Sequence, residues 1–330
     1  MTSTTMRLLL SVAAGVCAFA CASPEPPVIV FSSTEGTLGD TAHTLDIFTM
    51  REDGSHRRQL TNGTGVWEQA NFPTGSPDGR QIAFLVQPLE PGRHTELHLM
   101  ASDGTNDRLL VRLDSLDVAY PEWSLDGRRL AFIGSASPTR EGNVPSWVYV
   151  VDADGRNLRR VSREAGFNLC AGWLPSGDAV LVSEAVLPGG ESTVTTLNVV
   201  SGESQVLVRS DSVLLCPVPA PDGGPVLITG QVIVKDATTG TLRAVQMNAW
   251  QMNPDGSALR PFVTMGGFSK NPRWSRDGRS VVFHGSDFTG FFRLQGKASF
   301  DSIEVFLADS RGLNIRQLTR NRLTDLHPSW

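Results

Sequence analysis

One short block recurs along this chain at intervals of about 45–55 residues, and it limits what the chain can fold into. It reads Phe72-Pro73-Thr74-Gly75-Ser76-Pro77-Asp78-Gly79-Arg80 and then Tyr120-Pro121-Glu122-Trp123-Ser124-Leu125-Asp126-Gly127-Arg128. Looser copies start at Cys170 and Cys216, a full copy starts at Asn271, and His327-Pro328-Ser329-Trp330 is a truncated one. An apolar segment follows the full copies, as in Gln81-Ile82-Ala83-Phe84-Leu85 and Ser280-Val281-Val282-Phe283-His284. Two apolar runs joined through Asp-Gly predict a tight hairpin, because Gly takes positive φ with no Cβ clash. A second hairpin turn follows in each unit, at Asp53-Gly54, Asp103-Gly104, Asp154-Gly155, Ser201-Gly202, Asp255-Gly256 and Arg311-Gly312.

Each unit therefore holds four strands, A to D, with A ending on the Pro-x-Trp segment. Such units repeated along a chain rich in Gly and Pro predict propeller blades. The expected fold is all-β, a six-bladed β-propeller of four-stranded blades over residues 28–330. Val28-Ile29-Val30-Phe31-Ser32-Ser33 reads as a B strand with no A strand before it, and the chain ends on an A strand. Pairing these two closes the ring and removes an open sheet edge. Gly75 and Pro219 replace the Trp in two copies, so packing should differ locally there.

The pattern Pro-x-Trp-Ser-x-Asp-Gly-Arg, followed by the second Asp-Gly hairpin, resembles the repeat of TolB-like propellers, a WD40-like repeat without the Trp-Asp dipeptide. The resemblance covers nearly all of the chain after its leader. It extends to the propeller part only: the few residues ahead of Val28 leave no room for the N-terminal α/β domain of TolB. It implies a binding module of the bacterial cell envelope.

Ahead of the repeats, Arg7 precedes an apolar run, Leu8 to Ala20, too short to span a bilayer and typical of a secretory signal peptide. Residues 1–21 are assigned to this signal and 22–27 to a Pro-rich tether. Ala18-Phe19-Ala20-Cys21 resembles a lipobox, which would make Cys21 a lipidation site; ordinary signal-peptidase cleavage is the alternative. The expected location is thus outside the cytoplasm, in the periplasm or at the outer membrane as a lipoprotein, with a membrane contact only through that anchor. A net charge of −5 offers no basic excess for a phosphate backbone, so nucleic acid is not an expected partner. Cys170 and Cys216 occupy the same position in successive repeats; an oxidising compartment permits a disulfide between them, and two separate buried thiols are the other reading.

Catalytic motifs are sparse. The Asp-x-Asp-Gly runs lack the further oxygens of a calcium loop, and no Gly-x-Ser-x-Gly, His-Glu-x-x-His or Walker pattern occurs. No cofactor or metal is expected. The strand order puts the short A–B and C–D turns on one face of the ring. The other face carries the long connections, from Thr34 to Thr44, Gln87 to Thr95, Gly134 to Ser146, Gly230 to Ala244 and Gly285 to Ser302. Irregular loops on a rigid scaffold commonly carry function. Phe291, Phe292 and Arg293 are the candidate anchors there, with Tyr120, Asn271 and His327 toward the channel, where they would start A strands together with Phe72, Cys170 and Cys216. The reading is a protein- or peptide-binding scaffold without catalysis. The alternative is a channel-site polysaccharide lyase or hydrolase, in its metal-dependent form using His327.

Overall fold

The computed structural model describes residues 28–35, 45–62, 67–88, 90, 92–138, 144–185, 191–235, 242–286, 303–321 and 323–330. The leader, Cys21, the tether and Phe291, Phe292 and Arg293 lie outside them. The described residues form six antiparallel four-stranded sheets arranged as a propeller. Blade 1 contains β1 (Val28–Ser33), β2 (Asp46–Arg51), β3 (Arg58–Gln59) and, from the other end of the chain, β24 (Asp325–Ser329). Blade 2 is β4 (Trp67–Gly75), β5 (Gln81–Pro88), β6 (Glu96–Ala101) and β7 (Arg108–Val111). Blade 3 is β8 (Asp117–Trp123), β9 (Arg129–Ser135), β10 (Ser146–Asp152) and β11 (Arg159–Arg160). Blade 4 is β12 (Asn168–Trp173), β13 (Ala179–Ala185), β14 (Ser192–Asn198) and β15 (Ser204–Ser210). Blade 5 is β16 (Val213–Pro219), β17 (Val226–Lys235), β18 (Leu242–Met252) and β19 (Arg260–Pro261). Blade 6 is β20 (Phe268–Trp274), β21 (Ser280–Ser286), β22 (Glu304–Asp309) and β23 (Arg316–Gln317).

The ring closes where expected: β1 pairs β24 through Val30↔Ser329, Ser32↔Leu326 and Ser33↔Asp325. Arg57 pins the joint, donating to both carboxylate oxygens of the fully buried Asp325 at 3.0 and 3.3 Å and to Ser33 Oγ at 3.0 Å. Its guanidinium also lies 4.8 Å from the Phe31 ring centroid. A propeller has no single core. Its apolar side chains fall into clusters that each join two neighbouring blades, such as Ile29, Phe31 and Trp330 with Val282 and Val305. The B-strand phenylalanines Phe31, Phe84, Phe132 and Phe283 are all completely buried.

The second-hairpin glycines serve two ends. Gly312 has φ +75°, and a Cβ there would stand 2.1 Å from the Phe262 carbonyl oxygen of blade 5. The same approach recurs at Gly54 against Leu318 and at Gly256 against Leu207, so this turn is also where one blade's outer strand meets the next. Arginines latch the same seam. Arg58, Arg108 and Arg159 each donate to a backbone carbonyl in the following blade's turn, at Asp103, Ala153 and Val199.

Near the axis the decisive contact is a glycine without positive φ. A Cβ on Gly172 would lie 1.9 Å from the Pro217 carbonyl oxygen of blade 5. Gly172→Ala should therefore cost about 3 kcal/mol of stability by overpacking. Gly223→Ala, where φ is +79° but nothing lies within 4 Å, should cost only about 1–2 kcal/mol from backbone strain. Chemical denaturation of both variants checks this; equal losses would remove the seam contact as the cause.

One expectation needs correction. The stretch from Gly230 to Ala244 is not simply a loop. β17 and β18 extend into it and stay paired from Val226↔Met252 to Lys235↔Leu242, because alternating residues such as Val232 and Val234 continue the strand pattern. The outer strands that start at Arg58 and Arg316 are only two residues long. Thr61 and Thr319 turn inward instead, donating to the buried carboxylates of Asp46 at 2.8 Å and Glu304 at 2.5 Å.

Candidate functional site

The A strands β24, β4, β8, β12, β16 and β20 line the axis, and each changes register near its middle. In five of them proline lies within the shift, at Pro73, Pro121, Pro217, Pro272 and Pro328. Proline cannot donate to the ladder, so the strand bulges there. The preceding residue takes positive φ: Phe72, Tyr120, Cys216, Asn271 and His327 all lie between 49° and 53°. β12 has Ala171 in place of proline, and Cys170 keeps an ordinary φ. The N–H groups freed at three bulges are taken up by the preceding blade. Cys216 donates to Ser183 Oγ at 3.2 Å, Asn271 to Thr229 Oγ1 at 3.0 Å, and His327 to His284 Nδ1 at 3.2 Å.

These bulges correct the expected placement. Phe72, Tyr120, Cys170, Cys216, Asn271 and His327 do not start the A strands, which begin three to five residues earlier with Trp67, Asp117, Val213 and Phe268 and two residues earlier with Asn168 and Asp325. They form a plug part-way down the channel. The Phe72 ring stacks on His327 with centroids 3.6 Å apart and meets Tyr120 edge-on at 4.8 Å. Cys170 and Cys216 complete the layer, with Cα atoms 4.8 Å apart and joined as a disulfide between blades 4 and 5. A bridge closing a loop of this length stabilises by about 4 kcal/mol in the chain-entropy picture. Burial pushes the Tyr120 hydroxyl up and holds His284 and His327 well below the usual histidine range, with Lys270 and Arg273 adding to the effect on both.

One layer further along lie the residues just before the Trp position: Thr74, Glu122, Gly172, Val218, Arg273 and Ser329. Glu122 is in blade 3 and Arg273 in blade 6, on opposite sides of the ring, and they form an ion pair across the channel. Each side chain is only 15% exposed. Burial raises the Glu122 carboxyl and Arg273 pulls it back. Gly172 leaves room for this bar by adding no side chain to the layer. Beyond it a funnel of ≈410 Å³ opens to the face of the short A–B turns. Its wall carries Trp123, Trp173, Trp274 and Trp330 with Pro77, Pro219 and Pro221, and its rim carries Leu125 and Arg276. The indoles are fixed by the repeat: Trp123, Trp173 and Trp330 donate to the carbonyls of Thr74, Glu122 and Arg273 in the preceding blade. Among the described residues Trp274 Nε1 has no partner, next to the blade where Pro219 replaces Trp.

The A–B turn is missing from blade 1, whose two inner strands come from opposite ends of the chain. A second cleft of ≈710 Å³ opens in that gap, sharing Gly75, Arg276 and Trp330 with the funnel. Arg276 reaches from blade 6 toward the Asp78-Gly79 turn of blade 2; burial lowers its affinity for a proton and Asp78 offsets this.

No family model matches the chain. Over 110 residues, 33% of this chain, it is 30% identical to Dipeptidyl-peptidase 5 of Porphyromonas endodontalis, and the match spans 15% of that protein. TolB from Acinetobacter baumannii superposes with a TM-score of 0.68 at 16% identity, over 92% of this chain and 66% of that one. The putative TolB from Agrobacterium tumefaciens gives 0.58 at 18% identity, over 88% and 87% of the two chains. The fold is that of a TolB-like propeller. At these identities the likeness is one of fold, and the channel chemistry has to be read from this chain.

In this TolB-like propeller the structure brings Tyr120, Asn271 and His327 together in the plug. The Glu122–Arg273 bar was not among the candidates, although its signal was present: the variable residue of Pro-x-Trp is acidic in one repeat and basic three repeats later. Three repeats is half of a six-bladed ring, so opposite charges at that spacing face each other. His94 and His98 do not share a site. His94 lies 3.3 Å from Asp117, while His98 lies 2.9 Å from Asp107.

Proposed function

We propose that this chain is an exported peptide- or protein-binding propeller of the cell envelope, either free in the periplasm or held by a lipid on Cys21. The funnel carries the reading. It is blind, walled by Trp and Pro, closed below by one ion pair, and sized for a short peptide segment rather than a folded domain. An inserted segment would bury apolar side chains against the wall and offer polar groups to Glu122 and Arg273. The leader and the fold likeness to TolB support the location and the class of partner. Phe291, Phe292 and Arg293 remain the proposed anchors of the loop face, at the other end of the channel.

The test is capture of protein from detergent-solubilised envelopes by the immobilised chain. The variant Leu125→Asp alters the funnel rim at an exposed position, and should abolish capture with the melting temperature unchanged. Loss confined to the Phe291, Phe292 and Arg293 triple alanine variant would move the site to the loop face. Turnover of a polysaccharide by the purified protein would replace the binding reading with the lyase or hydrolase alternative.

A further inference from the structure

The face that carries the funnel mouth is also the face at which the chain enters the ring. β1 is the second strand of blade 1 and runs from this face toward the loop face. Its first residue, Val28, pairs with Arg51, which leads into the Asp53-Gly54 turn. Val28 also lines the cleft in the blade 1 gap, together with Arg276 and Trp330. Cys21 stands seven residues before Val28, and seven residues span at most about 25 Å even when fully extended. A surface that held Cys21 would therefore lie close against the short-turn face. Seating the loop face on it would take the tether back along the whole blade, about 17 Å for Val28 to Ser33 alone, and past the connections beyond.

The same face carries most of the exposed apolar side chains. Among the described residues nine large apolar side chains are exposed, and Val28, Leu125, Leu158, Val200, Leu313 and Ile315 stand in its turns or at its strand end. Leu109 and Val206 are on outer strands, and Val144 is in a connection of the loop face. Val200 is 79% exposed and Leu313 55%, each in a second-hairpin turn. The six belong to blades 1, 3, 4 and 6, spaced around the ring rather than gathered on one side. A compact protein partner would call for a contiguous patch, whereas a flat surface meets all six at once. The charges between them are mixed, with exposed Asp103, Asp154 and Asp255 among exposed Arg80, Arg128 and Arg156. That mixture suits a zwitterionic headgroup layer, because an anionic leaflet attracts uniformly basic segments.

We infer that the short-turn face is the membrane-facing surface of the anchored protein, with these six side chains seated among zwitterionic headgroups. The inference rests on the reading of Cys21 as the lipid-bearing residue. It also narrows the funnel's partner. The mouth opens toward the bilayer, so the segment that enters it is one presented at the membrane surface by an anchored partner, and the loop face points away from the membrane.

The test uses a chain beginning at residue 21, with Cys21→Gly joined at its terminal amine to a phospholipid in phosphatidylcholine–phosphatidylethanolamine vesicles, which keeps the tether length. Val200→Cys and Val144→Cys each add one reactive thiol, since Cys170 and Cys216 are bridged. A fluorophore on that thiol is read against lipids spin-labelled at the headgroup. The Val200 label should be quenched at least about threefold more than the Val144 label. Adding Leu158→Asp and Leu313→Asp, both at exposed positions, should at least halve that difference with unchanged circular dichroism. Equal quenching of the two labels, or stronger quenching at Val144, overturns the orientation. A difference that survives both aspartates undiminished overturns the apolar seating. Mass spectrometry of the natural mature N-terminus reads the anchor separately: an unacylated Cys21 overturns the reading on which the inference rests, whatever the labels show.

Discussion

Removing Asp325–Trp330 should lower the melting temperature by about 10 °C or more. Those six residues form the A strand of blade 1 and its Trp, and they have no substitute elsewhere in the ring. Their loss strips Val30, Ser32 and Ser33 of their β24 partners and exposes the cluster of Ile29, Phe31 and Val282. It also removes Trp330, 5% exposed and hydrogen-bonded to the Arg273 carbonyl at 3.2 Å. Loss of a buried Trp side chain alone costs about 3–5 kcal/mol, and about 1 kcal/mol corresponds to roughly 2 °C in a chain of this size. A bare inner edge should also promote aggregation. Arg57→Ala isolates the electrostatic part. It leaves the Asp325 carboxylate, which has no exposed side-chain surface, without its cation, at a cost of about 3–5 kcal/mol. Scanning calorimetry of both variants is the measurement, and a truncated chain melting within about 2 °C of the parent would show that the ring does not depend on this clasp.

Mild acid should destabilise the protein before its carboxylates titrate. His284 is 2% exposed, its Nδ1 accepts the His327 N–H, and its ring centroid lies 5.3 Å from that of His327, near Lys270 and Arg273. Burial comes first and the neighbouring cations second in holding both histidines below their ordinary value. A histidine depressed in the native state binds its proton more readily when unfolded. Its contribution is therefore complete above the unfolded value of about 6.5 and is lost as the pH falls below it. Each ring can remove up to about 1.4 kcal/mol per pH unit in that range. Melting temperature measured from pH 7.5 to 5 should fall steeply, and the double variant His284→Gln, His327→Gln should flatten the curve. An unchanged slope in the double variant would assign the acid response to other groups.

The sequence by itself determined the blade count, the strand order within each blade and the closure of the ring. All three follow from local chemistry repeated in order. Asp-Gly permits positive φ, alternating apolar runs make strands, and an unmatched B strand at one end needs the unmatched A strand at the other. The two turn families likewise placed the short-turn face opposite the long-loop face without any three-dimensional information. The tertiary structure alone decided what fills the channel. Whether Cys170 meets Cys216, whether Glu122 reaches Arg273, and whether Phe72 stacks on His327 depend on distances across the ring between residues far apart in the chain. Those distances are set by how closely blades approach at glycines such as Gly172 and by bulges at prolines. Both features are visible as residues, but their geometric effect is not. The bulges put Tyr120, Asn271 and His327 in the plug rather than at the start of their strands, with the Trp-lined funnel on the far side of the Glu122–Arg273 pair.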